Sequence, residues 1–348
     1  MVNDYNFEEY LKRALSNSIS SQNPSENAKS KARKLSPSYY RDLKEKLMIE
    51  YENKSLKDVM DCKIASSSFG DVVKITKREK IDFNIENNNF KEQMNTNLKL
   101  LPKIGLKTEE NLKNKGYDTI ESLKNHDKYG DSAEKFLKNL DEMTLCEIID
   151  LLDSNRYSKK CRHNVLKSIS LTDKENFKFM DIETKGLSNV PIILIGVAEI
   201  KGNAIESSQY FLRDYTEEAN IIDAYLSHLD EDSVHVTFNG KTFDIPYIKN
   251  RCIYNRIDAD LDLAHLDLMY FAKNLWGEKL PNCQLQTIEK ELFDIERIDD
   301  VPGQFIPGYY DTYLENNNIG PVVPIIEHNA QDIISLASFL DKMYKDVN

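Results

Sequence analysis

The sequence predicts an α/β protein in which a mixed sheet, flanked by helices, follows a mostly helical N-terminal region. From Asn176 onward, three strand-like segments separated by short turn signals predict three consecutive antiparallel strands. Helical patterns then alternate with shorter strand patterns, which is typical of parallel strands joined by helical crossovers. Before residue 170 helical patterns dominate, and alternation suited to one or two strands occurs at 70–84.

Changes in composition divide the 348 residues into four predicted segments. Residues 1–36 are predicted to form a flexible polar tail with a short helix near 7–15, because Ser, Asn and Lys predominate there. A small α+β module is expected at 37–95 and a helical region at 96–172. Residues 173–348 are expected to form the sheet domain, which is long enough to bury a sizeable core.

The net charge of −12 is unevenly distributed. Residues 1–170 carry 31 basic and 27 acidic side chains, whereas the remainder carries 15 and 31. Since nucleic-acid affinity depends on local basic patches, the first half is predicted to hold a phosphate backbone.

Five cysteines without CxxC spacing indicate neither a zinc ribbon nor a disulfide framework, and predict a reducing cytoplasm. Neither a signal peptide nor a membrane span is expected.

The stretch LKLLPKIGLKTEENLKNKGYDTIESLKNH, residues 98–126, predicts helices around a tight turn at 102–105. The second helix is expected to begin near Thr108 and stop at Gly116, and an Asp118–Glu121 capping pair to open a third. Turn N–H groups and a helix N-terminus can bind a phosphate without reading sequence. An ordinary helical hairpin is the alternative. The candidate nucleic-acid contacts here are Lys103, Gly105, Lys107 and Thr108.

Two acids, Asp181 and Glu183, end the predicted strand in FKFMDIETKG. Side chains two apart on a strand share a face, so the two carboxylates repel each other unless a cation lies between them. A strand end that reaches solvent is the alternative for this pair alone. Asp244 follows a Gly-containing turn at the start of a helix, where Pro246 fits an early position, and helix capping is its alternative.

A fourth acid, Asp332, lies on the predicted amphipathic helix PIIEHNAQDIISLASFLDKM. His328 is four residues earlier and therefore lies on the same face. A lone helical histidine is more often a surface or core residue. Beside several acids, however, this pair predicts a metal ligand and a general base.

These segments together resemble the YprB-like branch of the ribonuclease H-like superfamily, within the DEDD exonucleases. The resemblance covers about the last half of the chain, in the segments MDIETKGLS, TFNGKTFDIPYI, HLDLMYFAKNLW, LPNCQLQTIE, DVPGQFIPGYY and IEHNAQDIISLASFL. Residues 98–126 resemble a helix-hairpin-helix DNA-binding motif, although Lys103 stands where a first glycine is common.

The resemblance implies that Asp181, Glu183, Asp244 and Asp332 bind two divalent ions, Mg²⁺ or Mn²⁺. It places His328 at the position of the catalytic His or Tyr, but four residues before Asp332, as the Tyr-type enzymes space their Tyr. The His-type enzymes space their His five residues before the Asp. His265 and Asp267 would support the site from behind it. Further contacts with nucleic acid are expected at Thr184, Asn239, Gly240, Lys241 and Thr242.

The function that the sequence favours is a metal-dependent nuclease, with DNA preferred over RNA. The family resemblance implies 3′–5′ exonuclease activity by a two-metal-ion mechanism. A structure-specific endonuclease or a ribonuclease is the first alternative, because the same fold and metals serve those reactions. A nucleic-acid-binding adaptor with an inactive site is the alternative from another class.

Overall fold

The structure, a computed structural model, describes residues 36–85, 90–153 and 161–348. The predicted helix near 7–15 and nearly all of the predicted tail lie outside these residues. The described residues divide into two units, one that ends at Leu47 and one that begins at Met48. Helix α1 (Pro37–Glu50), most of which belongs to the first unit, begins after Ser36, whose hydroxyl accepts a hydrogen bond of 3.2 Å from the Tyr39 N–H. This contact satisfies one of the free donors at the helix start.

The second unit contains the sheet and the remaining helices. The strands are β1 (Cys62–Ser67), β2 (Gly70–Lys80), β3 (Phe177–Thr184), β4 (Ile192–Lys201), β5 (Ala204–Phe211), β6 (Val234–Thr237) and β7 (Ala264–Asp267). The helices are α2 (Phe90–Asn95), α3 (Leu106–Lys113), α4 (Gly130–Glu142), α5 (Leu145–Asp153), α6 (Cys161–Ser168), α7 (Glu218–Leu226), α8 (Asp244–Asn255), α9 (Leu268–Leu275), α10 (Leu285–Phe293), α11 (Ile306–Asn316) and α12 (Val323–Val347).

The seven strands form one sheet in the order β1-β2-β5-β4-β3-β6-β7. β3, β4 and β5 pair antiparallel, whereas β6 runs parallel to β3 and β7 runs parallel to β6. This arrangement confirms the predicted α/β fold. The early strands β1 and β2 extend the same sheet, because β2 pairs with β5 from Val73 opposite Phe211 to Lys80 opposite Ala204. The sheet therefore includes residues that precede the helical region in sequence.

The long helix α12 packs across the centre of the sheet, against β3, β4 and β5. Its apolar face is buried, including Ile333, Leu336 and Leu340. Gly196 on β4 allows the close approach, because a Cβ atom there would lie 2.1 Å from the side-chain oxygen of Asn329. The absence of a side chain at Gly196 thus brings the polar face of α12 to the level of the acids on β3.

The helical hairpin differs in detail from its prediction. A 3₁₀ turn at Leu98–Leu100 precedes the tight turn, and α3 begins at Leu106, two residues earlier than expected. Lys103 adopts a left-handed conformation with φ 66°, a backbone geometry that glycine adopts more readily than other residues.

The predicted Asp118–Glu121 capping pair is wrong. Thr119 and Ser122 exchange hydrogen bonds between side chain and backbone instead, at 3.1 and 3.2 Å, before a 3₁₀ turn at Glu121–Asn125. Their short hydroxyl side chains reach the neighbouring N–H groups directly.

Among the helices of the described residues, none is both long enough and apolar enough for a bilayer span.

Candidate active site

Asp181 and Glu183 lie near the end of β3, two residues apart, so the alternation of the strand places them on the same face. The register of β3 against β4 shifts between Glu183 and Thr184, which ends the regular pairing directly after the second acid. The Thr184 hydroxyl donates to the Gly186 carbonyl at 2.7 Å and closes the turn that leaves the strand. The predicted contact residue Thr184 therefore shapes the rim of the site.

Asp244 is the first residue of α8 and is buried. Its Oδ1 accepts a hydrogen bond of 3.2 Å from the Ile182 N–H, the backbone group between Asp181 and Glu183. This contact joins two segments that are 62 residues apart in the sequence. Asp244 therefore lies directly beside the acid pair of β3.

Helix α12 adds His328, Asn329 and Asp332 to the same place. The His328 Nε2 lies 3.8 Å from a Glu183 oxygen and 3.4 Å from Asp332 Oδ2. The Asn329 amide donates to Asp181 Oδ2 at 2.9 Å, and Gln209 on β5 holds that amide from behind through a 2.9 Å bond to its oxygen. The structure thus brings together all five residues that the sequence proposed as catalytic.

Three of the four carboxylates have raised pKa values. Burial, together with the charges of Asp244, Asp332 and Glu183, raises the pKa of Asp181 well above its usual range. Burial likewise raises the pKa of Glu183 to about 8, despite the attraction of His328. Burial and the nearby charges of Asp267 and Asp332 raise the pKa of Asp244 to about 7, against the hydrogen bond from Ile182. Such a site favours the binding of cations.

His328 is itself one of the cations that balance this charge. Burial alone lowers its pKa, but Asp300, Asp332 and Glu183 outweigh burial and raise the pKa to about 9. At neutral pH the ring is therefore protonated in this structure. A protonated imidazole cannot accept a proton from water, so a general-base role requires that His328 first lose this proton.

Three residues of the site were absent from the sequence prediction: Asn329 on α12, and Arg297 and Asp300 in the segment between α10 and α11. Arg297 donates to both oxygens of the buried Glu289 at 2.7 Å, and also to Asp332. Asp300 Oδ1 lies 2.5 Å from His328 Nδ1. The motif DVPGQFIPGYY begins at Asp300, but no sequence spacing relates this segment to α12.

The donor types suit a divalent ion, because Mg²⁺ and Mn²⁺ prefer carboxylate oxygens. The side chains of the described residues, however, are not arranged around a common point where an ion could bind. In residues 36–85, 90–153 and 161–348, no group of three or more His, Cys, Asp or Glu side chains is placed so that it could hold a metal ion. Protein donors engage three of the acids instead: Arg297 binds Asp332, Asn329 binds Asp181 and the Ile182 N–H binds Asp244. Binding of an ion therefore requires some of these side chains to rotate.

Asp267 and His265 lie behind the turn at 239–242. Asp267 accepts hydrogen bonds from the Asn239 and Lys241 N–H groups at 2.8 and 3.1 Å. His265 Nε2 lies 2.8 Å from the Thr237 hydroxyl, which in turn accepts from the Gly240 N–H at 3.2 Å. The two residues thus fix the backbone that leads into Asp244, which fits the supporting role proposed for them.

The predicted nucleic-acid contacts fall into two groups. Lys241 and Thr242 are exposed, and Asn239 has a left-handed φ of 72° in the turn beside Asp244. Lys103 and Lys107 are exposed at the helical hairpin, while Gly105 and Thr108 are partly exposed. The first group adjoins the acids directly through Asp244, and the second belongs to the helical region.

Comparisons with known proteins agree with this architecture. A family model described as RNase_H superfamily matches residues 178–344. The chain is also 32% identical over 180 residues to the uncharacterized protein YprB of Bacillus subtilis (strain 168), a match that covers 50% of this chain and 43% of the Bacillus protein. The chain thus spans less than half of that relative's length. Residues 178–344 are thus similar to the RNase H superfamily, and about half of the chain is similar to YprB.

Proposed function

We propose that this protein is a metal-dependent nuclease that hydrolyses phosphodiester bonds, most specifically a 3′–5′ exonuclease acting on DNA. The observation that carries the proposal is the convergence of four acids from β3, α8 and α12 on one buried site. Burial raises the pKa values of three of these acids, and the charges of the neighbouring acids raise them further. A structural role alone does not require so costly an arrangement.

The cofactors in this proposal are two divalent ions, Mg²⁺ or Mn²⁺, held by Asp181, Glu183, Asp244 and Asp332. When bound, such ions activate water and stabilise the charge on the phosphate and the leaving oxygen. The chain supplies the remaining functions. Asn329 orients Asp181, the Ile182 N–H orients Asp244, and His328 directs its Nε2 towards Glu183 and Asp332.

The substrate would be held by the polar turn at 239–242 and by the helical hairpin. Lys241 is exposed three residues before Asp244 in the chain, and its backbone is fixed by Asp267. At the hairpin, the first N–H groups of α3 have no partner within the helix, and in this proposal they donate to a phosphate. These features bind the backbone of a strand and carry no base preference.

One observation favours the alternative of a nucleic-acid-binding adaptor with an inactive site. Arg297 donates to Asp332, so a cation of the protein itself occupies one of the proposed ligands. An adaptor would keep this pairing permanently, whereas a nuclease must release Asp332 when it binds metal. The two functions therefore differ in whether divalent ions change the behaviour of the protein.

The test is cleavage of single-stranded and duplex DNA and RNA, labelled at the 5′ or the 3′ end, with Mg²⁺, Mn²⁺ or chelator. We expect metal-dependent cleavage of 5′-labelled DNA into a ladder that shortens from the 3′ end. Asp181→Ala and Asp332→Ala should abolish cleavage while DNA binding survives. Asp262→Asn is the control, because this acid is 86% exposed and pairs only with Lys249 among the ion pairs of the described residues. Cleavage that survives in an Asp181→Ala/Asp332→Ala double variant rules out the assignment, and internal cuts favour the endonuclease.

A further inference from the structure

The segment from Asp294 to Pro302, between α10 and α11, contributes a carboxylate that the metal-site assignment does not include. Asp300 Oδ1 lies 2.5 Å from His328 Nδ1, on the side of the ring opposite to Glu183 and Asp332. The side chain of Asp300 is only 18% exposed, so water competes weakly for this contact. The two ring nitrogens of His328 therefore face different partners, and Asp300 is the acid at Nδ1.

From this geometry we propose that Asp300 is a positioning residue for His328, which holds the proton on Nδ1 and so directs Nε2 to the proposed metal-binding acids. The proposal rests on the proposed function. A histidine has two nitrogens with distinct roles, and the hydrogen bond made by one of them fixes the orientation and proton arrangement of the other. Without Asp300 the ring can rotate about its side-chain bonds and present either nitrogen to Glu183.

Asp300 is itself held in place from two sides. Gln286 on α10 donates to its second oxygen, Oδ2, at 2.5 Å. The preceding residue, Asp299, has a left-handed φ of 53°, which turns the backbone sharply just before Asp300. This conformation is disfavoured for a residue that has a Cβ atom. Acids and amides tolerate it better than most residues, and the packed surroundings maintain it.

Two groups compete for His328 Nδ1: the carboxylate of Asp300, which accepts a hydrogen bond, and the guanidinium of Arg297, which donates one. Arg297 Nη1 lies 3.2 Å from the same nitrogen, and it could donate only if Nδ1 carried no proton. The contact with Asp300 is 0.7 Å shorter and joins opposite charges, which makes it the stronger of the two. Nδ1 is therefore the donor to Asp300, and Arg297 uses its other nitrogens for Glu289 and Asp332.

The test combines kinetics with a spectroscopic signal that does not depend on activity. In Asp300→Asn, we expect kcat for DNA cleavage to fall about 10-fold to 100-fold with KM unchanged, as is typical when the partner of an active-site histidine is lost. Asp300→Glu should recover most of the loss, and Gln286→Ala should show a smaller loss of the same kind. The matched control is Asp294→Asn, which removes an exposed acid from the same segment. On a His328→Ala background, Asp300→Asn should cause no further loss.

The second readout is the NMR spectrum of protein labelled with ¹⁵N-histidine. The wild type should show a strongly deshielded Nδ1 proton that disappears in His328→Ala and in Asp300→Asn, but remains in Asp294→Asn. Two results overturn the proposal: a wild-type spectrum without this signal, or losses of Asp300→Asn and His328→Ala that multiply independently. If no nucleic acid is cleaved at all, the proposed function fails, and the NMR signal alone decides whether Asp300 positions His328.

Discussion

The guanidinium of Arg297 donates a hydrogen bond to the carboxylate of Asp332, the residue that the sequence assigns to the metal site. The same guanidinium makes two hydrogen bonds to Glu289, whose side chain is fully buried. Arg297 therefore neutralises two acids in a region that already holds three more. In the absence of metal, it is a principal source of positive charge in the site, together with His328.

Removal of Arg297 should destabilise the metal-free protein and make it more responsive to metal. In Arg297→Gln with chelator, we expect the free energy of unfolding to fall by about 3 kcal/mol, because two buried acids lose their partner. Saturating Mn²⁺ at about 100 times its Kd should restore about 2.7 kcal/mol, since the ion binds only the folded chain. Urea unfolding with and without Mn²⁺ measures both effects.

The control for this experiment is Lys249→Gln, which breaks the exposed Lys249–Asp262 ion pair. Exposed pairs contribute about 0–1 kcal/mol, so this variant should behave like the wild type in both conditions. Equal stabilisation of Arg297→Gln and wild type by Mn²⁺ would show that Arg297 does not compete with metal for Asp332.

A second prediction concerns Glu199 on β4, which pairs with Lys178 and His228. Burial would raise its pKa, but hydrogen bonds from His228 and Lys178 lower the pKa from 4.5 to about 2. Because the folded-state pKa is depressed, the stabilisation is present above pH 4.5 and is lost as the pH falls towards 2. The stability gap between wild type and Glu199→Gln should therefore be about 2–3 kcal/mol at pH 6 and should close between pH 5 and pH 2.

Denaturant unfolding of both proteins across this pH range measures the gap. Glu296→Gln provides the comparison, because Glu296 is 68% exposed and pairs with the exposed Lys290. Its gap should stay near zero throughout. A gap for Glu199→Gln that is constant between pH 6 and pH 3 would show that the ionised carboxylate contributes no stability.

The left-handed Lys103 at the hairpin gives a third prediction. Its φ of 66° costs about 1–2 kcal/mol, which glycine avoids, although glycine loses about 0.5–1 kcal/mol more conformational entropy on folding. Lys103→Gly should therefore raise the free energy of unfolding by about 0.5–1 kcal/mol. Glu110→Gly, in the middle of α3, should lower it by about 0.5 kcal/mol. If both variants lose stability alike, the left-handed conformation at Lys103 is not strained.

The fold followed from the sequence wherever local patterns were sufficient. The two acids of β3 share a face because a strand alternates, and His328 and Asp332 share a face because a helix repeats every 3.6 residues. The pairing of β2 with β5 was not predictable, since it joins Val73 to Phe211 across the whole helical region. Such long-range pairing depends on the packed core and leaves no local signal.

Local sequence patterns likewise predict only part of the site. Asp181, Glu183, Asp244 and Asp332 follow recognisable local patterns, whereas Arg297 and Asp300 lie in an irregular segment without periodicity. Their contacts with α12 depend on how that segment packs, at separations of 28 to 35 residues. The role of Gly196 could not be predicted from the sequence either, because it depends on the close approach of Asn329 in the folded protein.

The central claim is that Asp181, Glu183, Asp244 and Asp332 form a site for divalent ions, and Mn²⁺ binding followed by electron paramagnetic resonance tests it most directly. The wild type should bind up to two Mn²⁺ ions per chain. The Asp181→Asn/Asp244→Asn double variant should lose this binding, while Asp262→Asn retains it. No Mn²⁺ binding by the wild type, or equal binding by the wild type and the double variant, would contradict the claim.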